Sequence, residues 1–184
     1  FSAYREQVLF PRVDEEFVLA LNAPRSLTSR MAKVGIEGLT EEEKGLLPPR
    51  FELGNEGYLR RFQKLMTGSG HVPSEEQIRN YFAAQSAWDD TMAWKASEFL
   101  RQHPEHVLVI IVGEFHVQYG GGLPDRLRAR GLNATTFSLV NLEGLTAAEQ
   151  NAEVRPSADE GVRADFVWTS RFSRDPAEGE ARLR

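Results

Sequence analysis

The stretch from Gly113 to Gly122 holds the densest set of residues that could do chemistry. His116 and Tyr119 are three residues apart, close enough to address one ligand. Glu114 could orient His116 by accepting a hydrogen bond from its ring. Gly120, with the two glycines after it, exposes backbone N–H groups before a predicted helix, which suits an anion. The alternative is a flexible connection in which His116 is packed and bonded to a carbonyl.

Two polar residues interrupt the apolar face of the longest predicted helix, about Ser74 to Arg101. At about 100° per residue, Gln85 and Asp89 fall in the middle of a face that is otherwise apolar or small. That face consists of Ile78, Phe82, Gln85, Asp89, Met92, Ala96 and Phe99. A buried carboxylate is costly unless it is paired or ligating, so we expect Asp89 to meet a cation, a strong donor or a pocket. A purely structural hydrogen bond is the alternative.

The elements that would position these residues are those of an α/β protein with a mostly parallel sheet flanked by helices. Val107–Val112 is apolar at every position, which predicts a strand covered on both faces. The other predicted strands are Glu16–Leu21, Asn133–Val140 and Asp165–Thr169. Ligands bind beyond the carboxyl ends of strands in such sheets, which places Asn22 and Arg25 at the same edge as His116. A surface salt bridge is the alternative for Arg25.

Helical patterns fill much of the remaining chain. We predict one α/β domain over residues 1–170, with a helical insertion at about 40–105 between two strands and a charged, flexible tail at 171–184. Capping-box spacings occur at Thr40 with Glu43 and at Ser74 with Gln77. The other predicted helices are about 25–34, 55–66 and 123–130. Residues 143–161 are polar and predict a mobile linker.

The composition excludes several classes of function. The chain has 184 residues, 41% of them hydrophobic, and no cysteine, so thiolate metal sites and disulfides are excluded. The formal net charge of −5 argues against a nucleic-acid partner, because such binders usually carry a basic excess. No apolar run reaches the roughly 18 residues that a membrane span needs. The sequence also lacks a P-loop, a serine-hydrolase elbow and an HExxH motif.

The remaining histidines carry weaker signals. His71 lies in a glycine-rich loop, where it is either a mobile ligand or simply solvated. His103 and His106 flank Pro104 at the end of the long helix. The negative end of the helix dipole is enough to explain their placement.

Four motifs follow one another in a specific order. They are Leu21–Arg25, Ala84–Ala93, the strand ending in Gly113–His116 with its glycine-rich continuation, and Ala164–Trp168. In this order and spacing they resemble the ChaN-like family of iron-regulated haem-binding lipoproteins, over about residues 17–169. The resemblance implies an α/β fold, a lipid-anchored location on the periplasmic side of the bacterial cell envelope, and a role in haem or iron acquisition.

The wider superfamily, with its Tiki- and TraB-like proteins, typically carries two Gly-x-x-His elements. Gly113–His116 matches the second of them. The chain begins at Phe1 without an initiator Met, and we expect the first element to lie in an N-terminal part that this chain lacks.

The resemblance implies haem as the cofactor, and we assign its iron to Tyr119 and His116. A phenolate suits ferric iron, and His116 would ligate the iron or hydrogen-bond the phenolate. Tyr81 is the alternative tyrosine, and Arg25 and Lys95 could pair with the propionates. The remaining predicted site residues are Asn22, Gln85, Asp89 and Gly120.

Two other functions remain open at this point. One is a metal-dependent hydrolase, in which His116, Glu114 and Asp89 hold a divalent ion and a bound water is the nucleophile. The other is a binding module whose polar groups are structural. For partners we expect haem, no nucleic acid, and membrane association only through a lipid anchor outside this chain. The sequence also leaves open a homodimer with a shared site.

Overall fold

The computed structural model of the chain describes residues 4–10, 17–68 and 73–171. These ranges contain helices and a small sheet, so the chain is an α/β protein, as predicted. The α-helices are α1 (Arg5–Leu9), α2 (Arg25–Val34), α3 (Glu41–Lys44), α4 (Glu56–Thr67), α5 (Glu75–Gln102), α6 (Leu123–Ala129) and α7 (Ala147–Val154). A 3-10 helix covers Glu114–His116, and the strands are β1 (Phe137–Asn141) and β2 (Phe166–Ser170).

Helix α5 contributes to every apolar cluster of the described core. One cluster joins it to Leu27 and Met31 of α2. A second joins it to α6 and to the extended segment 107–112. The third is aromatic and contains Tyr58 and Phe62 of α4. Because α5 is surrounded in this way, the polar residues in its middle are removed from solvent.

Side-chain caps start the helices where the sequence predicts them. Thr40 and Ser74 each form a capping box, at α3 and α5 respectively. A further capping box, Thr146 with Glu149, starts α7. The predicted mobile linker is therefore wrong for residues 147–154. Its capping-box spacing was a signal in the sequence, because a Thr followed by Glu three residues later bonds the free backbone N–H groups of a helix start.

The sheet of the described residues has two parallel strands. Phe137 pairs with Phe166, and the register continues to Asn141 beside Ser170. Both strands match predicted ones to within four residues. Leu139 and Trp168 face the same solvent-exposed side of this pair, so one surface of the sheet is apolar and open.

Two predicted strands are wrong. Val107–Val112 is extended but makes no ladder with another strand among the described residues. Val107, Val109 and Ile111 are 91%, 79% and 60% exposed, whereas the alternate side chains pack against α5 and α6. The apolar run therefore has one covered face, not the two that were expected. Residues 17–21 are also irregular, and Glu16 lies outside the described residues.

The predicted helical insertion corresponds to α3, α4 and α5. The segments expected to flank it as strands are the two that remain unpaired. The division into one domain and a flexible tail stays a prediction, since residues 172–184 lie outside the described ranges, as does His71. None of the helices described here is both long enough and apolar enough to cross a membrane.

Candidate functional site

His116 and Asp89 meet at the centre of the molecule, although 27 residues separate them. His116 ends the 3-10 helix that follows the extended segment, and Asp89 lies midway along α5. The ring nitrogen Nδ1 of His116 is 2.6 Å from Oδ1 of Asp89. The Asp89 side chain is fully buried, and that of His116 is 17% exposed. The buried carboxylate predicted on the face of the long helix thus has a specific partner.

Tyr58 satisfies the other oxygen of Asp89. Its hydroxyl donates to Oδ2 over 2.8 Å, and it accepts in turn from Nε2 of Gln85 over 2.8 Å. Burial, with the Asp89 carboxylate beside it, raises the pKa of Tyr58 well above its usual range. The phenol therefore stays protonated and remains a donor. Gln85, predicted as a site residue, also lies 3.0 Å from Nδ1 of His116.

The contact with Asp89 favours one tautomer of the imidazole, although the amide nitrogen of Gln85 also lies against Nδ1. A carboxylate can only accept, so the 2.6 Å contact places the hydrogen on Nδ1 of His116. In that tautomer the lone pair lies on Nε2, for which the described residues supply no hydrogen bond. A carboxylate that holds a histidine in this way also makes the opposite nitrogen a better metal ligand. A metal ion or a hydrogen-bond donor that binds this imidazole would therefore meet it at Nε2.

A cavity of about 480 Å³ lies against His116. Its size falls in the range of small-molecule pockets, about 300–1,000 Å³. The wall contains an indole, aliphatic side chains and a few polar groups. The lining residues are Tyr4, Gln7, Val8, Asn22, Trp88, Ile111, Val112, Gly113 and His116. The structure thus brings together His116 and Asn22, two of the predicted site residues, on one cavity.

Tyr119 takes a different position from the one predicted. Among the described residues it is not part of the cavity wall. Its backbone has φ of 59°, and its ring lies against the guanidinium groups of Arg61 and Arg163, at 5.7 and 5.3 Å. Its neighbour Gly120 accepts a hydrogen bond from Arg61 through its carbonyl. The pairing of Tyr119 with His116 at iron stays a prediction, and Tyr4 is the tyrosine on the cavity wall.

The predicted propionate partners lie apart from this cavity wall. Arg25 is exposed at the start of α2. Lys95 donates to the carbonyl oxygens of Ala20 and Asn22, so it fixes the segment that carries Asn22. Tyr81 packs with the aromatic cluster of α4 and α5.

Glu114 does not orient His116, contrary to the expectation from the sequence. Its carboxylate accepts from the guanidinium of Arg163 and from the hydroxyl of Ser138, which lies in β1. The adjacent position in the chain suggested the wrong acceptor, because a 3-10 turn directs successive side chains to different sides.

The glycine-rich stretch serves close packing. A Cβ on Gly121, whose φ is 79°, would lie 2.6 Å from Cβ of Tyr58. One on Gly122 would lie 2.5 Å from the carbonyl oxygen of His116. The backbone N–H of Gly121 donates to Asp125, so the anion expected there is the chain's own carboxylate. Without side chains at these glycines, the backbone can pack directly against Tyr58 and against the main chain of His116.

Sequence reasoning missed two residues of the site. Tyr58 lies within the predicted helix 55–66, and nothing in the sequence indicates a distant acceptor for its hydroxyl. Tyr4 precedes α1, near the start of the chain. The acceptor of Tyr58 and the cavity that Tyr4 lines are formed by other elements, so no local spacing could identify either residue.

A protein-family model described as haem-binding uptake, Tiki superfamily, ChaN matches residues 1–127. The match covers more than two thirds of the 184 residues and includes Asp89 and His116. Neither the curated proteins nor the solved structures gave a significant match.

Proposed function

The chain belongs to the ChaN family of haem-binding uptake proteins in the Tiki superfamily, and from this premise we propose that it binds haem in the cavity beside His116. The observation that carries the proposal is the contact between His116 and the buried Asp89, at the edge of that cavity. Imidazole is a common axial ligand of haem iron, and here its Nε2 is the nitrogen left for a ligand.

The walls of the cavity fit a flat, largely apolar ligand. Val8, Ile111 and Val112 offer aliphatic contact, and the indole of Trp88 lies 6.4 Å from the ring of His116 between centroids. Asn22 and Gln7 add polar groups on the wall, where a carboxylate such as a propionate needs donors. The donor set therefore suits haem, with an imidazole for the metal, apolar surface for the macrocycle and amides for the acidic groups.

We assign the tyrosine of the site to Tyr4. Its phenol lines the same cavity as His116, whereas Tyr119 lies between two arginines. A phenol at this position would supply a ligand for ferric iron or a hydrogen-bond donor within the cavity. In either role, Asp89 holds His116 in place. The tyrosine comes from a separate element, since Tyr4 directly precedes α1.

The proposal extends to the setting in which haem is bound. Haem is the cargo in an uptake role, so we propose that the protein contributes to haem or iron acquisition at the periplasmic side of the bacterial cell envelope. Attachment there would use a lipid anchor outside the described residues. A homodimer with a shared site, which the sequence leaves open, belongs to this proposal as well.

The test is a titration of the purified, untagged chain with haem, followed by absorbance from the Soret region into the visible. We expect saturable binding, abolished or strongly weakened by His116→Ala. Asp89→Asn should weaken it by about 10–100-fold, the usual cost of losing a partner of a metal-binding histidine. Asp90→Asn is the matched control, since Asp90 is also buried but pairs with Arg130.

Two tyrosine variants decide between the candidate phenols. If Tyr4 contributes, Tyr4→Phe changes the visible bands and Tyr119→Phe leaves them as in the wild type. The opposite result would return the tyrosine to the position predicted from the sequence. Wild-type haem binding by both His116→Ala and Asp89→Asn would overturn the site itself.

A further inference from the structure

A second group of histidines lies at the opposite end of the extended segment from His116. Among the residues that the structure describes, His103, Glu105 and His106 form the group of three whose potential metal-binding atoms all lie within 4.8 Å of one another. The group follows α5 directly, where the helix ends at Gln102. It takes no part in the His116 network or in the proposed haem cavity.

The backbone brings these three side chains together before any ligand is bound. His103 closes α5 by donating its N–H to the carbonyl of Phe99, over 2.9 Å. The N–H of His106 then donates to the carbonyl of His103 over 3.1 Å, which closes a four-residue turn with Pro104 in its second position. Proline fixes the φ angle that this position of a turn requires. The first and last side chains of such a turn are close neighbours.

Aromatic contacts hold both imidazoles in place. The rings of His103 and His106 lie 5.3 Å apart between centroids. Phe99 stacks on His103 at 4.6 Å, and Phe17 lies 4.9 and 5.5 Å from the two imidazoles. These contacts restrict the ring rotations that a metal ion would otherwise have to freeze. Metal binding therefore loses less side-chain entropy, because the fold already restricts these two rings.

The electrostatics of this position favour a cation. The carboxylate of Glu105 lies 2.8 Å from Nδ1 of His106. The backbone of Glu105 also hydrogen-bonds its carboxylate, and both imidazoles lie beside it. The carboxyl end of a long helix adds partial negative charge. Just before the group, Glu98 and Arg101 neutralise each other.

We propose that His103, Glu105 and His106 form a binding site for a divalent transition metal of the zinc class. Two imidazoles and one carboxylate are a donor set that suits Zn²⁺, and three protein ligands leave a coordination position for water or an external ligand. Tetrahedral coordination at about 2.0–2.2 Å brings ligand atoms to roughly 3.3 Å from one another, so small side-chain rotations close the present spacing.

The experiment is a calorimetric titration of the untagged chain with Zn²⁺, repeated with Co²⁺, whose visible absorbance reports the coordination. We expect one saturable site in the wild type. The double variant His103→Gln/His106→Gln should lose it. Glu105→Gln should weaken it by at least the roughly 10–100-fold that loss of even an outer partner costs. Glu98→Gln is the matched control, since Glu98 is a nearby partly exposed acid bonded to Arg101.

A second measurement separates loss of the site from loss of the fold. Imidazole nitrogen resonances of the wild type are followed during the Zn²⁺ titration, and those of His103 and His106 should shift together. His116→Gln tests the other histidine centre and should keep the zinc site. Binding that survives in the double variant, resonances of His116 that shift instead, or no saturable uptake would each overturn the proposal. Zn²⁺ alone is the probe, so these outcomes leave the haem proposal untouched.

Discussion

Among the described residues, two contacts between a histidine and a carboxylate differ in burial. His116 meets Asp89 at 2.6 Å, and the Asp89 side chain is 0% exposed. His106 meets Glu105 at 2.8 Å, and the Glu105 side chain is 67% exposed. The two contact distances are nearly equal, so the pairs differ mainly in how far solvent reaches the carboxylate. A buried carboxylate must have all its partners within the fold, whereas an exposed one is also served by water.

This difference determines what each histidine can do. Asp89 is bonded to both Tyr58 and His116, so the tautomer of His116 is fixed before any ligand arrives. Glu105 can turn from His106 toward a metal ion at little cost, because solvent replaces what it loses. The pair of His116 and Asp89, the buried centre, is therefore organised for one ligand geometry. The group of His103, Glu105 and His106 is the exposed centre. The exposed centre can adjust to an ion that enters it.

The largest expected effect is the difference in stability between a variant that lacks the Asp89 carboxylate and one that lacks the Glu105 carboxylate. Asp89→Ala leaves the hydroxyl of Tyr58 and the Nδ1 hydrogen of His116 buried without an acceptor, at about 1–3 kcal/mol each. Glu105→Ala removes a solvated partner and should stay within about 0.5 kcal/mol of the wild type. Urea unfolding followed by tryptophan fluorescence measures both. Equal losses of unfolding free energy in the two variants would show that burial does not distinguish Asp89 from Glu105.

An intermediate effect concerns alkaline pH. The pKa of Tyr58 is raised in the fold by burial and by Asp89, while in the unfolded chain it is about 10. The stability from the protonated phenol is therefore complete below about pH 10 and is lost as pH rises further, by up to about 1.4 kcal/mol per pH unit.

Urea unfolding of the wild type and of Tyr58→Phe at several pH values between 8 and 11 tests this. Tyr58→Phe should be less stable at pH 8, because Asp89 loses a donor, but should lack this part of the alkaline decline. Tyr81→Phe is the matched control and should keep the decline. Parallel pH profiles for the wild type and Tyr58→Phe would show that Asp89 does not hold the phenol as described.

The smallest effect concerns the aromatic contacts of the exposed centre. Phe17 is 49% exposed and touches both His103 and His106, so Phe17→Leu should cost less than about 1 kcal/mol of stability. Zinc affinity should fall by at most about fivefold, the equivalent of that energy. Calorimetry measures it, with Phe115→Leu, at the buried centre, as the control. A larger loss of zinc affinity in Phe115→Leu would contradict the assignment of the metal to the exposed centre.

Local patterns predicted the helices well. The capping residues Thr40 and Ser74 start helices where expected, and α5 runs from Glu75 to Gln102 against a prediction of about 74–101. The polar interruption of its apolar face also predicted that Asp89 is buried and has a strong donor. These features depend on residues within a few turns of one another, so the sequence is sufficient for them.

Pairing between distant segments could not be predicted in the same way. The run Val107–Val112 has the composition of a buried strand, yet its pairing depends on which segments lie beside it. Likewise, Glu114 was the nearest acceptor along the chain, but the fold pairs it with Arg163. A local pattern indicates which secondary structure a segment prefers, but not which distant segment will pack or pair with it.

The sequence by itself determined the family, the α/β class, the long helix and the burial of Asp89 on that helix. Only the tertiary structure decided that His116 and Asp89 are in contact, that Tyr58 completes the network and that Tyr4 lines the cavity. It also brought His103, Glu105 and His106 to one side of a turn. The physical reason is that burial and hydrogen bonding between elements depend on the packing of the whole chain, whereas helix periodicity and capping act within a few residues.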